Sequence, residues 1–190
     1  MSDTTHRDSV KAKSFRSSKE LVAYCKSIDQ GWFRCQAIAI GAAKLDRKQC
    51  ETACRAAVKA AQTERDIFRR VTPLAWPVAT LAAAGFVHQA EKLANDALKQ
   101  AKSVVPSNSK AETLDVFYQH FGLLNIELRK QIFSELVGMA SAEQGWRIGR
   151  NCACIAKDLD RLGERVFIER LIDGCKNTKL VNRIHRDRKS

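Results

Sequence analysis

Apolar residues recur at three- and four-residue steps along most of the chain, which is the spacing of one buried face of an α-helix. The pattern stops after one helix length and then resumes, and it does so in successive pairs. Glycine and proline, the residues that most often interrupt helices, number only 9 and 3 among 190 residues. The pattern therefore predicts an all-α fold built from antiparallel helical hairpins.

One stretch of the chain occurs twice and indicates the length of the repeating unit. The first copy runs from Gln30 to Arg47 and the second from Gln144 to Arg161, 114 residues later and without a gap. Both copies begin with Gln-Gly-Trp and end with Leu-Asp-Arg. Two weaker helix pairs lie between them and divide this distance into steps of 40, 38 and 36 residues. The sequence therefore predicts four helical hairpins with a period near 38 residues.

The inner faces of the four predicted hairpins differ in size. Alanine and cysteine predominate in the first and alanine in the second, which allows close approach of the helix axes. Aliphatic and aromatic side chains replace them in the third hairpin. The positions taken as equivalent on the four first helices are Ala39, Ala79, Phe117 and Ala153.

Several helix starts are indicated by side chains that accept hydrogen bonds from the free amide groups of a first turn. Asp46 is expected to cap the second helix of the first hairpin. Three further pairs have the spacing of a capping box. These pairs are Ser17 with Glu20, Ser109 with Glu112, and Ser141 with Gln144.

Composition divides the chain into three parts. Residues 1–16 are polar and basic, lack periodic apolar positions, and are expected to form an N-terminal arm that is disordered or only partly ordered. Residues 17–175 form the predicted helical-repeat domain. Residues 176–190 form a basic C-terminal tail.

Small residues around Gly85 resemble those of the tetratricopeptide-like α-solenoids. Gly85 ends one helix, Ala90 follows five residues later, and Ala94 and Ala97 follow at steps of four and three. The unit length of 36 to 40 residues resembles HEAT-like arrays as well. This resemblance covers residues 29–175. It implies a right-handed α-solenoid of about four antiparallel helical hairpins with extra N- and C-terminal helices, whose concave surface, lined by the first helices, binds another macromolecule.

The charge of the chain favours anionic partners. Lysine and arginine number 33 against 21 acidic residues, and the net charge is +12. Nucleic acid, an acidic protein face and a membrane surface are all compatible with this excess. Residues 176–190 carry +5 of this net charge, so the tail is expected to make electrostatic contacts with a partner.

Basic residues near the starts of first helices are the candidate partner-binding residues. Arginine close to tryptophan suits an acidic peptide or a nucleic-acid backbone, through charge-assisted hydrogen bonds and stacking. The alternative interpretation is solvated charge on exposed helix faces. The candidates are Arg34, Arg69, Arg70, Arg147 and Arg150, together with Lys179, Arg183 and Arg186 in the tail.

Three tryptophans open the first helix of three hairpins, at Trp32, Trp76 and Trp146. They fit either aromatic anchors on a binding face or packing between neighbouring repeats. Packing is the favoured interpretation, because matched positions of a repeat usually serve the stacking of its units.

Residues with catalytic or metal-binding potential form no recognisable motif. The seven cysteines offer no two pairs with the short-loop spacing of a structural zinc site, such as two cysteines separated by two residues. The four histidines have no nucleophile or second ligand at helical spacing. The glycines form no phosphate-binding loop. The sequence therefore nominates no catalytic, cofactor-binding or metal-binding residue. An odd number of cysteines without a secretory signal favours a reducing, cytoplasmic compartment.

Two hypotheses for function remain open at this point. The leading one is a non-enzymatic helical-repeat scaffold that binds a protein or peptide partner, in particular an acidic one. The rival is a helical-repeat protein that binds nucleic acid through its basic surface and tail. An enzyme of helical-repeat type that acts on nucleic acid is a weaker third hypothesis, for which the sequence nominates no residues.

The uncharged stretch 71–87 contains two prolines and much alanine, and we interpret it as a buried helix.

Overall fold

A computed structural model gives the fold and describes residues 3–142 and 146–189. All regular structure within these ranges is helical, as the sequence predicts, and a 3-10 turn at Thr72–Leu74 joins two of the helices. The helices are α1 (Asp3–Ala12), α2 (Ser18–Cys25), α3 (Gly31–Ala42), α4 (Arg47–Ala61), α5 (Ile67–Val71), α6 (Ala75–Ala83), α7 (Val87–Ala101), α8 (Ser107–His120), α9 (Ile126–Ala142), α10 (Trp146–Arg161), α11 (Arg165–Asp173) and α12 (Thr178–Lys189).

The four predicted helix pairs are present as α3 with α4, α6 with α7, α8 with α9, and α10 with α11, and the helices of each pair contact one another. We call the earlier helix of each pair a first helix and the later one a second helix. The pair α1 and α2 precedes the four, and α12 follows them. Contacts connect the helices serially, from α1 to α3, α6, α8, α10 and α12.

Hydrogen bonds between consecutive first helices show that these helices run in the same direction. The Cys35 thiol donates to the carbonyl of Pro73 at 3.4 Å, and the Thr80 hydroxyl donates to the carbonyl of Ala39 at 3.1 Å. Both partners advance together along the chain. The α3 helix is therefore parallel to α6.

The same direction continues from α6 to α8. The hydroxyl groups of Thr72 and Thr113 lie 2.7 Å apart, and the rings of Trp76 and His120 pack with their centroids 4.6 Å apart. Sequence separations of 38 to 41 residues in the hydrogen bonds of this set match the predicted period near 38.

Contacts of α10 complete the parallel series. The Tyr118 hydroxyl on α8 donates to Asp158 at 2.6 Å, 40 residues later. On the other side of α10, Arg188 of α12 bonds Asp160 at 3.1 Å. The first helices consequently begin on the same side of the stack, which we call the start edge, although α6 is displaced along α8, because Trp76 in its first turn packs against His120, the last residue of α8. The hairpin turns and the residues beside them share the opposite edge, which we call the turn edge, at residues 43–48, 84–89, 121–127 and 161–166.

The core changes in character along the stack, as the sequence predicts. Between α3 and α4, the side chains of Ala39, Ala53 and Cys54 are fully buried and small. In the third hairpin, Phe117 and Phe133 are fully buried instead. Helix axes lined by small side chains approach closely, whereas the aromatic residues fill a wider space.

Two of the three tryptophans pack between neighbouring units. Trp32 lies against Phe68 of α5, with ring centroids 5.3 Å apart, and Trp76 lies against His120. Both indole rings are half-buried. The side chain of Trp146 falls outside the described residues, as do Gln144 and Gly145 of the second copy.

Two helix starts follow the sequence and two do not. The Asp46 carboxylate accepts from the amide of Gln49 at 3.0 Å, and the Ser17 hydroxyl accepts from Glu20 at 3.3 Å, so both predicted caps are confirmed. Ser109, by contrast, lies inside α8, which begins two residues earlier.

The predicted cap at Ser141 is wrong. Ser141 lies in the last turn of α9, where its hydroxyl donates to the carbonyl of Val137 at 2.8 Å. A serine inside a helix often satisfies its hydroxyl in this way, with the carbonyl four residues before it. Its proposed partner Gln144 lies outside the described residues.

Both ends of the chain contribute helices that pack on the rest. In the region set apart as an N-terminal arm, α1 contacts α3 and buries Ala12 completely. In the region set apart as a tail, α12 packs along α10 and buries Leu180 and Ile184. No helix among the described residues has the length and apolar character needed to cross a membrane.

Candidate functional site

A groove of about 770 Å³ lies along α9, between the end of α7 and the start of α8 on one side and α11 on the other. Its position beside a second helix differs from the first-helix surface that the family resemblance implies. The apolar part of its lining consists of Leu98, Leu114, Met139 and Phe167.

The groove is open because α9 presents small residues there. Gly138 and Ala142 line it and are exposed, and a Cβ atom added to Gly138 would meet no other atom within 4 Å. Met139 beside them is half-buried, and its flexible thioether side chain adapts to different apolar shapes. The floor of the groove is therefore open at Gly138, and the Met139 side chain can adapt to the shape of a bound apolar group.

Glu135 forms ion pairs with two lysines on one side of the groove. Its carboxylate oxygens lie 3.5 Å from the ammonium group of Lys102, at the end of α7, and 3.4 Å from that of Lys110 on α8. The Lys110 side chain is only 19% exposed, whereas that of Lys102 is 65% exposed. Lys102 therefore remains accessible to a ligand at the rim.

Lys130 organises the charge at the end of the groove near α11. Its ammonium group bonds Glu164 at 2.7 Å and Glu127 at 3.0 Å, and lies 5.4 Å from the centroid of the Phe167 ring. These hydrogen bonds raise the pKa of Lys130, and the bond to Glu164 has the larger effect. The cluster connects α9 to the turn before α11 and fixes the width of the groove.

The groove combines an apolar floor with a rim of paired charges, which is the arrangement of a binding surface for a segment of another chain. The Ser134 hydroxyl in the groove donates to the carbonyl of Lys130 at 3.0 Å. None of the seven candidate basic residues whose side chains the structure describes lines this groove. Sequence patterns did not reveal it because its lining comes from four helices that periodicity treats separately.

Arg34 is held against its own loop. Its guanidinium group donates to the carbonyls of Ile28 at 2.8 Å and Asp29 at 3.1 Å. These bonds close the turn between α2 and α3. A partner that bound Arg34 would have to share the guanidinium group with this turn.

The remaining candidate arginines of the repeat domain lie on different helices. Arg69 and Arg70 belong to the short helix α5, and Arg69 is exposed. Arg150 is exposed on α10. Burial raises the pKa of Asp115, and the positive charge of Arg150 offsets part of this rise. The side chain of Arg147 lies outside the described residues.

The candidates in the tail lie on α12. Lys179 and Arg186 are exposed, and Arg183 and Arg186 contact Asp187 at 3.7 and 2.9 Å. Arg34, Arg150 and Lys179 lie near the starts of parallel helices and so share the start edge, whereas Arg186 lies toward the opposite end of α12.

The sequence did not single out Arg188, which has a structural position. Its side chain is 7% exposed, and its two terminal nitrogens donate to Glu169 at 2.6 Å and Asp160 at 3.1 Å. Hydrogen bonds from Arg165 and Arg188 lower the pKa of Asp160. Part of the basic charge of the tail therefore serves to fasten α12.

Side chains capable of metal or redox chemistry are dispersed or buried. All seven cysteines are free, and burial raises the pKa of Cys25 and of Cys152 to about 12. Within the part of the chain that the structure describes, no three potential metal ligands come together. Nδ1 of His120 is hydrogen-bonded to the carbonyl of Val116 at 2.9 Å.

Comparisons with protein-family models, with curated proteins and with solved structures found no match. A proposal for function therefore rests on the groove, the surface charge and the arrangement of the helices.

Proposed function

We propose that the protein is a non-enzymatic helical-repeat scaffold that binds an acidic protein or peptide partner. In this proposal the hairpins form a right-handed α-solenoid related to the tetratricopeptide-like and HEAT-like superfamily, and the protein acts in a reducing, cytoplasmic compartment. The groove along α9 is the observation that carries the proposal.

The serial contacts of the first helices support the scaffold architecture. In repeat arrays each unit contacts its neighbours, and the resulting extended surface serves as a platform for partners. The parallel first helices and the hydrogen bonds near the repeat period fit this arrangement.

The composition of the groove favours a peptide segment as ligand. Met139 and Phe167, both half-buried, offer apolar surface to anchor side chains, as in helix-in-groove recognition. Lys102 at the rim is the most exposed charge that faces the groove from α7, and the net charge of +12 attracts acidic chains. An acidic segment with apolar anchors matches both features.

Selection from a displayed library of random peptides on the full-length protein tests this proposal. We expect enriched peptides to combine acidic residues with apolar residues at helical spacing. Gly138→Trp places a large side chain in the open space of the groove and should weaken the binding of those peptides by about tenfold or more.

Gly174→Trp is the matched control, because a Cβ atom there also meets nothing within 4 Å and the residue does not line the groove. It should leave peptide affinity unchanged. If no peptide is enriched, or if the enriched peptides bind Gly138→Trp as tightly as the wild-type protein, the groove is not the binding site.

Nucleic-acid binding is the second candidate function, and the exposed Lys179 and Arg186 on α12 favour it. It predicts an affinity for oligonucleotides that falls steeply with salt, because lysine and arginine displace condensed counterions. Gly138→Trp would leave such binding unaffected, which separates the two functions.

A further inference from the structure

We propose that the turn edge attaches the protein to a membrane surface that contains anionic lipids. The attachment would be peripheral, with aliphatic side chains of the hairpin turns in the boundary between headgroups and acyl chains. It is independent of the groove along α9 and of the peptide partner proposed for it.

Neighbouring hairpin turns lie side by side on this edge. The guanidinium group of Arg47 in the first turn lies 3.5 Å from the carbonyl of Gly85 and 4.8 Å from the ring centroid of Phe86, both in the second turn. Lys130 after the third turn bonds Glu164 in the fourth at 2.7 Å. The first two turns therefore lie side by side, and so do the last two.

Aliphatic side chains are exposed along the turn edge. The large hydrophobic residues that are most exposed among the described side chains number six, and four of them belong to the turn edge. Single exposed hydrophobic residues are ordinary in proteins, but their concentration on one edge is not. The four are Val87 at 45%, Leu123 at 66%, Leu162 at 50% and Val166 at 61% exposure.

Cations accompany these aliphatic side chains. Lys44, Lys48 and Arg161 are exposed on the first and last turns, as are Arg47 and Arg165. Lys44 and Arg161 form no ion pair with any described residue. Cations near a surface of anionic lipids are attracted to it, and each contributes to binding.

The start edge also carries exposed cations, among them Lys176 and Lys179, but only Val105 of the six exposed hydrophobic residues lies there. Positive charge alone therefore does not distinguish the two edges. The combination of cations with several aliphatic side chains is specific to the turn edge.

The chemistry of the exposed side chains favours lipid over other anionic partners. Nucleic acids bind through cations and through aromatic rings that stack on bases, whereas the exposed residues here are aliphatic and the Phe86 ring is covered by Arg47. A protein interface usually has a contiguous apolar centre. The aliphatic residues of this edge are spread over three separate turns, which suits insertion among lipid headgroups.

Cosedimentation of the full-length protein with vesicles tests the proposal. We expect binding to vesicles of phosphatidylserine and phosphatidylcholine, and little binding to phosphatidylcholine alone. Leu123→Ser with Leu162→Ser should weaken binding by about tenfold, since both side chains lose their place in the boundary region. Lys44→Gln with Arg161→Gln should weaken it by about thirtyfold.

Matched controls carry the same changes elsewhere on the surface. Val105→Ser, and Lys176→Gln with Lys179→Gln, all on the start edge, should retain most of the binding. Circular dichroism checks that each variant is folded, which is expected because all the altered side chains are exposed.

Three results would overturn the proposal. The first is no preference for phosphatidylserine vesicles, and the second is equal effects of the turn-edge variants and their controls. The third is tighter binding to an oligonucleotide or to polyglutamate that is insensitive to Leu123→Ser with Leu162→Ser, which would assign the edge to nucleic acid or to an acidic protein.

Discussion

Gly85 and Gly163 end first helices in the same left-handed backbone conformation, with φ angles of 81° and 87°. In each case the following amide donates to a carbonyl five residues earlier, from Phe86 to Leu81 at 2.9 Å and from Glu164 to Leu159 at 3.0 Å. This is a Schellman motif, which side chains with a Cβ atom disfavour. The two glycines therefore have one role in two hairpins.

Alanine at these glycines should destabilise the protein, although a Cβ atom would meet nothing within 4 Å at either site. We expect Gly85→Ala and Gly163→Ala each to lower the free energy of unfolding by about 1 kcal/mol, because of backbone conformation alone. Gly138→Ala, inside α9, should raise it by about 0.5–1 kcal/mol. Urea denaturation measures all three, and a change of the same sign in all of them would contradict this explanation.

Equivalent residues were only partly predictable from the sequence. The equivalence of Ala79 with Ala153 places Leu159 opposite Gly85, but the structure gives the role of Gly85 to Gly163, four residues later. Identity of residue types located the doubled stretch, whereas the equivalence of Gly85 and Gly163 depends on backbone conformation. Periodicity carries no information on φ angles, so this correspondence needed the structure.

At the scale of one element, α12 is fastened by apolar and polar contacts together. Leu180 and Ile184 are buried against the stack, and the amide of Asn177 donates to the carbonyl of Ala140 at 2.7 Å. Arg188 adds its bonds to Asp160 and Glu169 near the other end of the helix. Removal of residues 176–190 would thus uncover the core as well as remove charge.

The Asp160 carboxylate should make the stability of the protein depend on acidic pH. Hydrogen bonds from Arg165 and Arg188 lower its pKa in the folded state. Its contribution is therefore complete above the unfolded pKa of about 4 and is lost as the pH falls through the lower folded value. We expect Asp160→Asn to lower the free energy of unfolding by about 2 kcal/mol at neutral pH.

Urea denaturation at several pH values measures this effect. The difference between the wild-type protein and Asp160→Asn should shrink below pH 4. Asp173→Asn, an exposed aspartate of α11, is the control and should leave stability nearly unchanged. A constant difference across the acidic range would show that Asp160 acts without its charge.

The elements themselves followed from the sequence more closely than their ends. Apolar periodicity predicted all eight helices of the four hairpins, because one face of each is buried. The charge of residues 176–190 suggested a tail for electrostatic contacts, while the apolar pair Leu180 and Ile184 was too short a signal to indicate a packed helix. The groove along α9 could not be predicted either, since it depends on the distances between four helices.

At the scale of the whole molecule, buried hydroxyl groups couple neighbouring hairpins. Thr113 donates its hydroxyl hydrogen to the carbonyl of Ser109 at 2.9 Å. The hydrogen between Thr72 and Thr113 must then come from Thr72, because each hydroxyl has only one. Both threonines are completely buried.

This direction of donation predicts an asymmetric double-mutant cycle. Thr113→Val removes the acceptor and leaves the Thr72 hydroxyl unpaired, at a cost of about 1–3 kcal/mol. Thr72→Val should cost less, because Thr113 keeps its bond to Ser109. The double variant should be no less stable than Thr113→Val alone. Equilibrium unfolding of the four proteins measures the coupling, and additive losses would contradict it.

The position of α12 has a consequence for assembly. It packs along α10 in the place of a further first helix. Stacked hairpins present unlike surfaces at their two ends, and head-to-tail contacts between copies form rings or open filaments. Because α12 packs along α10 and exposes Lys179, Asn182 and Arg186, a second copy stacked on this face would have to bury charged and polar side chains, which disfavours such stacking.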